Sequence, residues 1–113
     1  MLRIKITMTV QGLLRGAEAV GHVGFGPKGS DPVCAAATVL LRTAARALER
    51  KQGIELSGGA PSPGQMQFEI LALPESLRGW ISGVSEALFQ GLTDLAMEFP
   101  DKVSVQVERI EEN

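Results

Sequence analysis

The stretch from Met1 to Val10 decides what kind of object this chain can fold into. Leu2, Ile4, Ile6, Met8 and Val10 alternate with Arg3, Lys5, Thr7 and Thr9. A period of two places every apolar side chain on one face of a strand and every polar one on the other. Such a strand belongs in a sheet with one face buried. Gln11-Gly12 is a turn signal, and Leu13 to Val20 return as the second arm of a hairpin, with weaker alternation. Near the other end, Val103, Val105 and Val107 alternate with Ser104, Gln106 and Glu108 as a last strand.

What covers that sheet is read from a different period. Cys34, Ala37, Thr38, Leu41, Ala45 and Leu48 fall at three-and-four spacing, one face of a helix. Asp31 is its expected N-cap and Pro32 its first helical residue, since the missing proline N–H would be an orphan there anyway. Arg42, Arg46, Glu49 and Arg50 lie off the apolar face, and Gly53 is the expected stop. The arginines read as a solvated face, or as a guide for an acidic segment of a partner. A second helix is expected from about Ser76 to Glu98, with Leu77, Trp80, Ile81, Val84, Leu88, Leu92 and Leu95 as its stripe. Gly83 and Gly91 each cost about 1 kcal/mol of helix propensity against alanine, and are expected to permit close packing. Between the helices, Ile54–Leu56 and Met66–Leu73 read as strands, with Ser57 to Gly64 as a flexible connector. Phe99 to Lys102 is the turn into the last strand. The order is ββαββαβ: a single α+β domain over residues 1–113, a mixed sheet with two helices packed most simply on one face, a sandwich. There is no internal repeat.

Composition narrows the partners. Aromatics are 4% of the 113 residues, so the core must come from Leu, Ile, Val, Ala and Met. The net charge of -2, with no dense basic run, argues against direct nucleic-acid binding. A single cysteine cannot form an intramolecular disulfide, so nothing points to secretion. One cysteine and one histidine cannot build a structural zinc site. No metal or cofactor is expected. Neither a signal-peptide pattern nor a run of roughly 20 apolar residues is present, so the expectation is a cytoplasmic protein without a membrane partner.

Two side chains carry the chemistry. Cys34 is the third helical residue if Asp31 is the cap. Unpaired N–H groups and the positive end of the helix dipole gather there, and both favour a thiolate. The same N–H groups can stabilise an oxyanion during acyl transfer. Asp31 works partly against this, as a like charge beside the thiolate. His22 is the natural base, able to take the thiol proton and hand it to a leaving amine. Between them runs a stretch crowded with Gly21, Gly24, Gly26, Pro27, Gly29 and Pro32, which reads as a mobile loop. It has no phosphate-loop ending. The bland alternatives stay open on residues alone: a small buried hydrophobe at Cys34, a surface or structural histidine at 22. Phe25 and Phe68 are candidates for a substrate pocket, with core packing the better role for Phe68.

The string Gly21-His22-Val23-Gly24-Phe25-Gly26, followed by Gly29-Ser30-Asp31-Pro32-Val33-Cys34-Ala35-Ala36-Ala37-Thr38-Val39-Leu40, resembles the ribosomal-processing cysteine protease family, known as Prp. That family has a GHAxxG segment and then a DxVCAAxS segment opening a helix. Here Val23 stands for the usual alanine, Pro32 for an apolar residue and Thr38 for the usual serine; no catalytic atom is lost. The resemblance implies a homodimeric α/β sandwich and an endopeptidase. Its substrate would be a large-subunit ribosomal protein precursor that loses a short N-terminal extension. On this reading Cys34 is the nucleophile and His22 the base. Asp31 shapes the site or orients a partner, and Gly24 to Ser30, with Gly26 and Gly29, form a cover over the substrate cleft. The competing readings are a non-catalytic ribosome-associated binding or assembly factor on the same fold, and a thiol redox sensor. The second is weakened by the lack of a resolving cysteine.

Overall fold

The computed structural model describes residues 1–21, 32–62 and 65–111. They form β1 (Leu2–Thr9), β2 (Leu14–Val20), α1 (Pro32–Arg50), β3 (Glu55–Ser62), β4 (Gln65–Ala72), α2 (Arg78–Glu98, entered through a 3-10 turn at Glu75–Leu77) and β5 (Val103–Ile110). The strands make one sheet in the order β3-β4-β2-β1-β5. β1 pairs with β5 in parallel, and the other three pairings are antiparallel. The expected ββαββαβ mixed sheet with two helices is therefore the observed one.

The pairing determines where the helices go. β2 and β3 both run antiparallel to β4, so α1 joins two parallel strands. β4 and β5 both run parallel to β1, so α2 does the same. One crossover moves toward β3 and the other toward β5, from strands of opposite direction. Two crossovers of the usual right hand then place both helices on the same face. The burial pattern agrees: Leu2, Ile4, Ile6 and Met8 of β1, Ala17 and Ala19 of β2, and Phe68 and Ile70 of β4 join Ala37, Leu41, Leu48, Ile81, Leu88 and Leu92 of the helices in one core. The small Ala17 and Ala19 stand opposite Ile6 and Ile4 across β2 and β1. Gly91 lets α1 come close, since a Cβ there would sit 3.1 Å from a methyl of Leu40. Gly83 does not have this role, because nothing lies within 4 Å of its would-be Cβ.

Two local features differ from the sequence reading. The connector expected from Ser57 to Gly64 is largely strand: β3 runs to Ser62, and Gly58 and Gly59 pair with Phe68 and Gln67. Glycine propensity for a loop loses here to backbone pairing. Gly58 has φ +115, and a Cβ on it would collide with the Gln67 carbonyl oxygen, so only glycine lets the strands approach in this register. The second feature is a bulge near the start of β2. Thr7 pairs with Gly16, but Met8 pairs with Leu14. The extra residue, Arg15, leaves the alternation and Leu14 turns into the core, fully buried.

The bulge also frees the Leu14 N–H from the ladder. It donates instead to Ser85 Oγ of α2 at 2.8 Å, and that hydroxyl donates to the Ile81 carbonyl at 2.6 Å. Thr9, also fully buried, accepts the Leu13 N–H on Oγ1 at 3.1 Å and closes the turn. Gly12 takes the positive φ of that turn and Gly53 that of the α1 stop, as expected for both. Ser85→Ala would leave a buried N–H without an acceptor, at about 1–3 kcal/mol, offset by roughly 0.5 kcal/mol of helix propensity. The expected result is a fall of about 1–2 kcal/mol in unfolding free energy, read as a lower urea midpoint at unchanged m.

Candidate active site

Cys34 is placed by α1. The helix begins at Pro32, so Cys34 lies in its first turn. The first turn of an α-helix presents N–H groups that find no acceptor within the helix, at the positive end of its dipole. An anionic sulfur or a developing oxyanion is stabilised at such a place. Cys34 is 9% exposed and Val33 3%, while Ala35, Ala36 and Val39 face solvent on the same turns. The thiol thus stands at the boundary of the core, with an open apolar strip of helix beside it.

Thr38 lies one turn on. Its Oγ1 donates to the Cys34 carbonyl oxygen at 2.8 Å. The hydroxyl braces the backbone of the turn that carries the thiol. The expected solvated face is also present, with Arg42, Arg46, Glu49 and Arg50 all exposed.

Gly21 ends β2 on the other side of the glycine-rich segment. It has φ +100, and a Cβ there would lie 2.6 Å from the Met1 carbonyl oxygen. The chain leaves the sheet by turning tightly over its own N-terminus, a turn that excludes a side chain twice over. His22, Gly24, Gly26, Gly29, Ser30 and Asp31 lie outside the described residues, as does Phe25. Phe68, by contrast, is 3% exposed and belongs to the core. Gly21 and Pro32 are the two stems between which the His22 segment must run.

A family model described as cysteine protease Prp matches residues 1–104. The chain belongs to the cysteine protease Prp family. It is an enzyme, a cysteine protease, by that membership. Solved structures share the fold. The essential ribosomal processing protease Prp from S. aureus, in complex with a covalently linked product peptide, is 16% identical over 96% of this chain and 100% of that one, with a TM-score of 0.78. The same S. aureus protease with a substrate peptide gives 16% identity, the same coverage and a TM-score of 0.74. SMU.848 from Streptococcus mutans is 26% identical over 97% of this chain and 96% of that one, with a TM-score of 0.75. No curated protein sequence gives a significant match. Neither helix among the described residues is long and apolar enough to cross a membrane.

Gly21→Ala tests the stem. An L-residue at positive φ costs about 1–2 kcal/mol, and the approach to Met1 adds to it. The variant is expected to lose about 2 kcal/mol or more of stability in a denaturant titration. Gly79→Ala, with nothing within 4 Å of its Cβ, is expected to be neutral or slightly stabilising.

Proposed function

We propose that the protein is a cysteine endopeptidase that removes the N-terminal extension of a large-subunit ribosomal protein precursor, with Cys34 as nucleophile and His22 as base. One observation carries this reading. The chain belongs to a cysteine protease family, and its 113 residues hold a single cysteine and a single histidine. That cysteine sits in the first turn of a helix, where a thiolate and an oxyanion are both favoured.

The reaction follows from these groups. His22 takes the Cys34 proton, and Sγ attacks the scissile carbonyl carbon, forming a C–S bond while the carbonyl π electrons move to oxygen. Backbone N–H groups of the first turn of α1 face that oxyanion. Collapse of the tetrahedral species expels the amine, which receives the proton from His22, and leaves an acyl-enzyme. Water, deprotonated by His22, then attacks the thioester and returns the thiol. In this reading Asp31 shapes the site or orients a partner. The segment from Gly24 to Ser30, including Gly26 and Gly29, covers the bound peptide, and Gly21 is its fixed stem. Thr38 positions the backbone of the nucleophile turn. The two S. aureus Prp complexes, one with a substrate peptide and one with a covalently linked product peptide, support a peptide as substrate. The enzyme would work in the cytoplasm as a homodimer, beside the ribosome it serves.

A second reading, a non-catalytic ribosome-associated binding factor, is favoured by one fact: Cys34 is 9% exposed. The test separates the two. The purified protein is mixed with the full-length ribosomal precursor of the same genome, and intact mass is followed with Cys34→Ala in parallel. Wild type is expected to remove one defined N-terminal segment, and Cys34→Ala none, with both unfolding cooperatively. An uncut precursor with a folded wild type moves the assignment to the binding factor. His22→Ala is expected to slow cleavage by about 10²–10⁴-fold, the usual contribution of a general base, and to slow thiol alkylation near neutral pH. An unchanged alkylation profile across pH would remove His22 from the pair.

A further inference from the structure

The outer crest of α1 carries charge that the fold does not use. Arg42, Arg46 and Arg50 stand four residues apart and are all exposed, while Ala37, Leu41, Ala44 and Leu48 turn the other side of the helix into the core. Four residues rise about 6 Å, so the three side chains form a row along the helix. Ala35 and Val39 continue the same crest toward the start of α1. Both are exposed, Val39 at 60%.

Nothing inside the chain accounts for the row. The ion pairs among the described residues are Lys5 with Glu108 and Arg78 with Glu75. None of the three arginines has an ion pair or a side-chain hydrogen bond there. Glu49 is exposed three residues after Arg46 and pairs with neither Arg46 nor Arg50. Like charges four residues apart destabilise a helix, and this row contains two such steps. A penalty repeated on an exposed crest, where uncharged polar residues would serve the helix better, points to a use outside the chain.

Charge complementarity selects an anionic partner, and the rest of the surface selects its kind. The chain is acidic overall, at -2, and three cations release too few counterions to hold a polynucleotide well at physiological salt. Single strands are also gripped by stacking on aromatic faces. α1 has no aromatic residue, and the Trp80 ring is covered by Lys51 at 4.8 Å. A protein segment rich in carboxylates fits better. Each guanidinium can take a carboxylate in a two-pronged contact. On a partner helix, glutamates four residues apart repeat at the same rise of about 6 Å. Val39 gives such a helix an apolar footing at one end of the row.

We propose that the crest of α1 docks an acidic helix of a protein partner, with carboxylates four residues apart on Arg42, Arg46 and Arg50 and an apolar side chain on Val39. The same helix carries Cys34 in its first turn, and Arg42 follows about 12 Å along the axis. A partner seated on the row therefore stands beside the nucleophile turn. The docking surface stands independently of the peptidase reading.

The test uses the full chain and a fluorescein-labelled helical peptide, followed by fluorescence anisotropy. The peptide carries three glutamates at four-residue spacing and a leucine one turn before the first. Wild type is expected to bind it saturably. A peptide of the same composition, with its glutamates spread around the helix, is expected to bind at least ten-fold more weakly. Arg46→Glu is expected to weaken binding at least ten-fold yet to raise the melting temperature, because it sets a carboxylate four residues from both Arg42 and Arg50. Lys102→Glu, an exposed cation off this helix, is expected to change neither. The triple reversal Arg42→Glu/Arg46→Glu/Arg50→Glu is expected to lose the glutamate peptide and gain its lysine counterpart. No saturable binding by wild type, or equal binding of the two peptides, overturns the proposal. So does an equal loss in Lys102→Glu, which would mark a general charge effect. A lower melting temperature in Arg46→Glu overturns it by giving the arginine to the fold. A short single-stranded RNA that binds the row more tightly than the peptide overturns it in favour of a nucleic acid.

Discussion

The parallel pairing of β1 with β5 is the constraint from which the rest of the structure follows. It runs in unbroken register from Leu2 opposite Val103 to Thr9 opposite Ile110. Parallel neighbours cannot be joined by a tight turn, so the chain must travel before it can make them. Between β1 and β5 it lays down a hairpin partner for β1, a helix, a second hairpin and another helix. Because the two crossovers leave strands of opposite direction and move in opposite senses, one handedness sends both helices to one face. The core, the bare face and the position of the α1 N-terminus just after the end of β2 are consequences of that path. The cysteine and the histidine are then separated by a single connection, the one that carries the glycines.

The large features were legible because they rest on periods. Leu2, Ile4, Ile6 and Met8 read as one face of a strand, and that face is buried. The stripe from Ile81 to Leu95 read as helix and is helix. What was not legible rests on pairing between distant segments. Nothing local says that Gly58 and Gly59 belong to a strand; the requirement comes from Phe68 and Gln67 across the ladder. Ser85 interrupts an apolar stripe and carries no signal of its own. Its use is set by a backbone N–H at Leu14, 71 residues earlier, which is orphaned by a bulge that no pattern announces.

The site divides along the same line. Cys34 was legible from residue type and from Pro32 ahead of it, since both say helix start. Thr38 was legible as a position one turn on, but the hydrogen bond that its hydroxyl donates to the Cys34 carbonyl is something only coordinates reveal. Arg15 was not legible at all. Strict alternation counts it as an error, an arginine at a core position of β2. One inserted residue converts the error into an outward-facing cation. A departure from pattern of this kind is where a fold most often carries something besides stability.

The bare face also shows why counting charged pairs is a poor guide to what a surface does. Lys5 and Glu108 form the short ion pair of that face at 2.8 Å, with side chains 44% and 50% exposed. The hydrogen bond and charge of Glu108 hold the Lys5 ammonium above its ordinary range. By linkage, any stability from that shift is fully present below the unfolded lysine value and is lost as pH rises through the higher folded one. It is therefore present and constant around neutral pH, though exposed pairs contribute little in any case. The pair matters for what it withdraws. It occupies one cation and one carboxylate of the face, Glu18 adds its charge to the hold on Lys5, and Arg15 keeps a buried Nε with no acceptor among the described residues. These lie on the face opposite the helices, whereas Cys34 is carried by α1. Because both helices share a single side, the face that carries these charges is separate from the one that carries the first turn of α1.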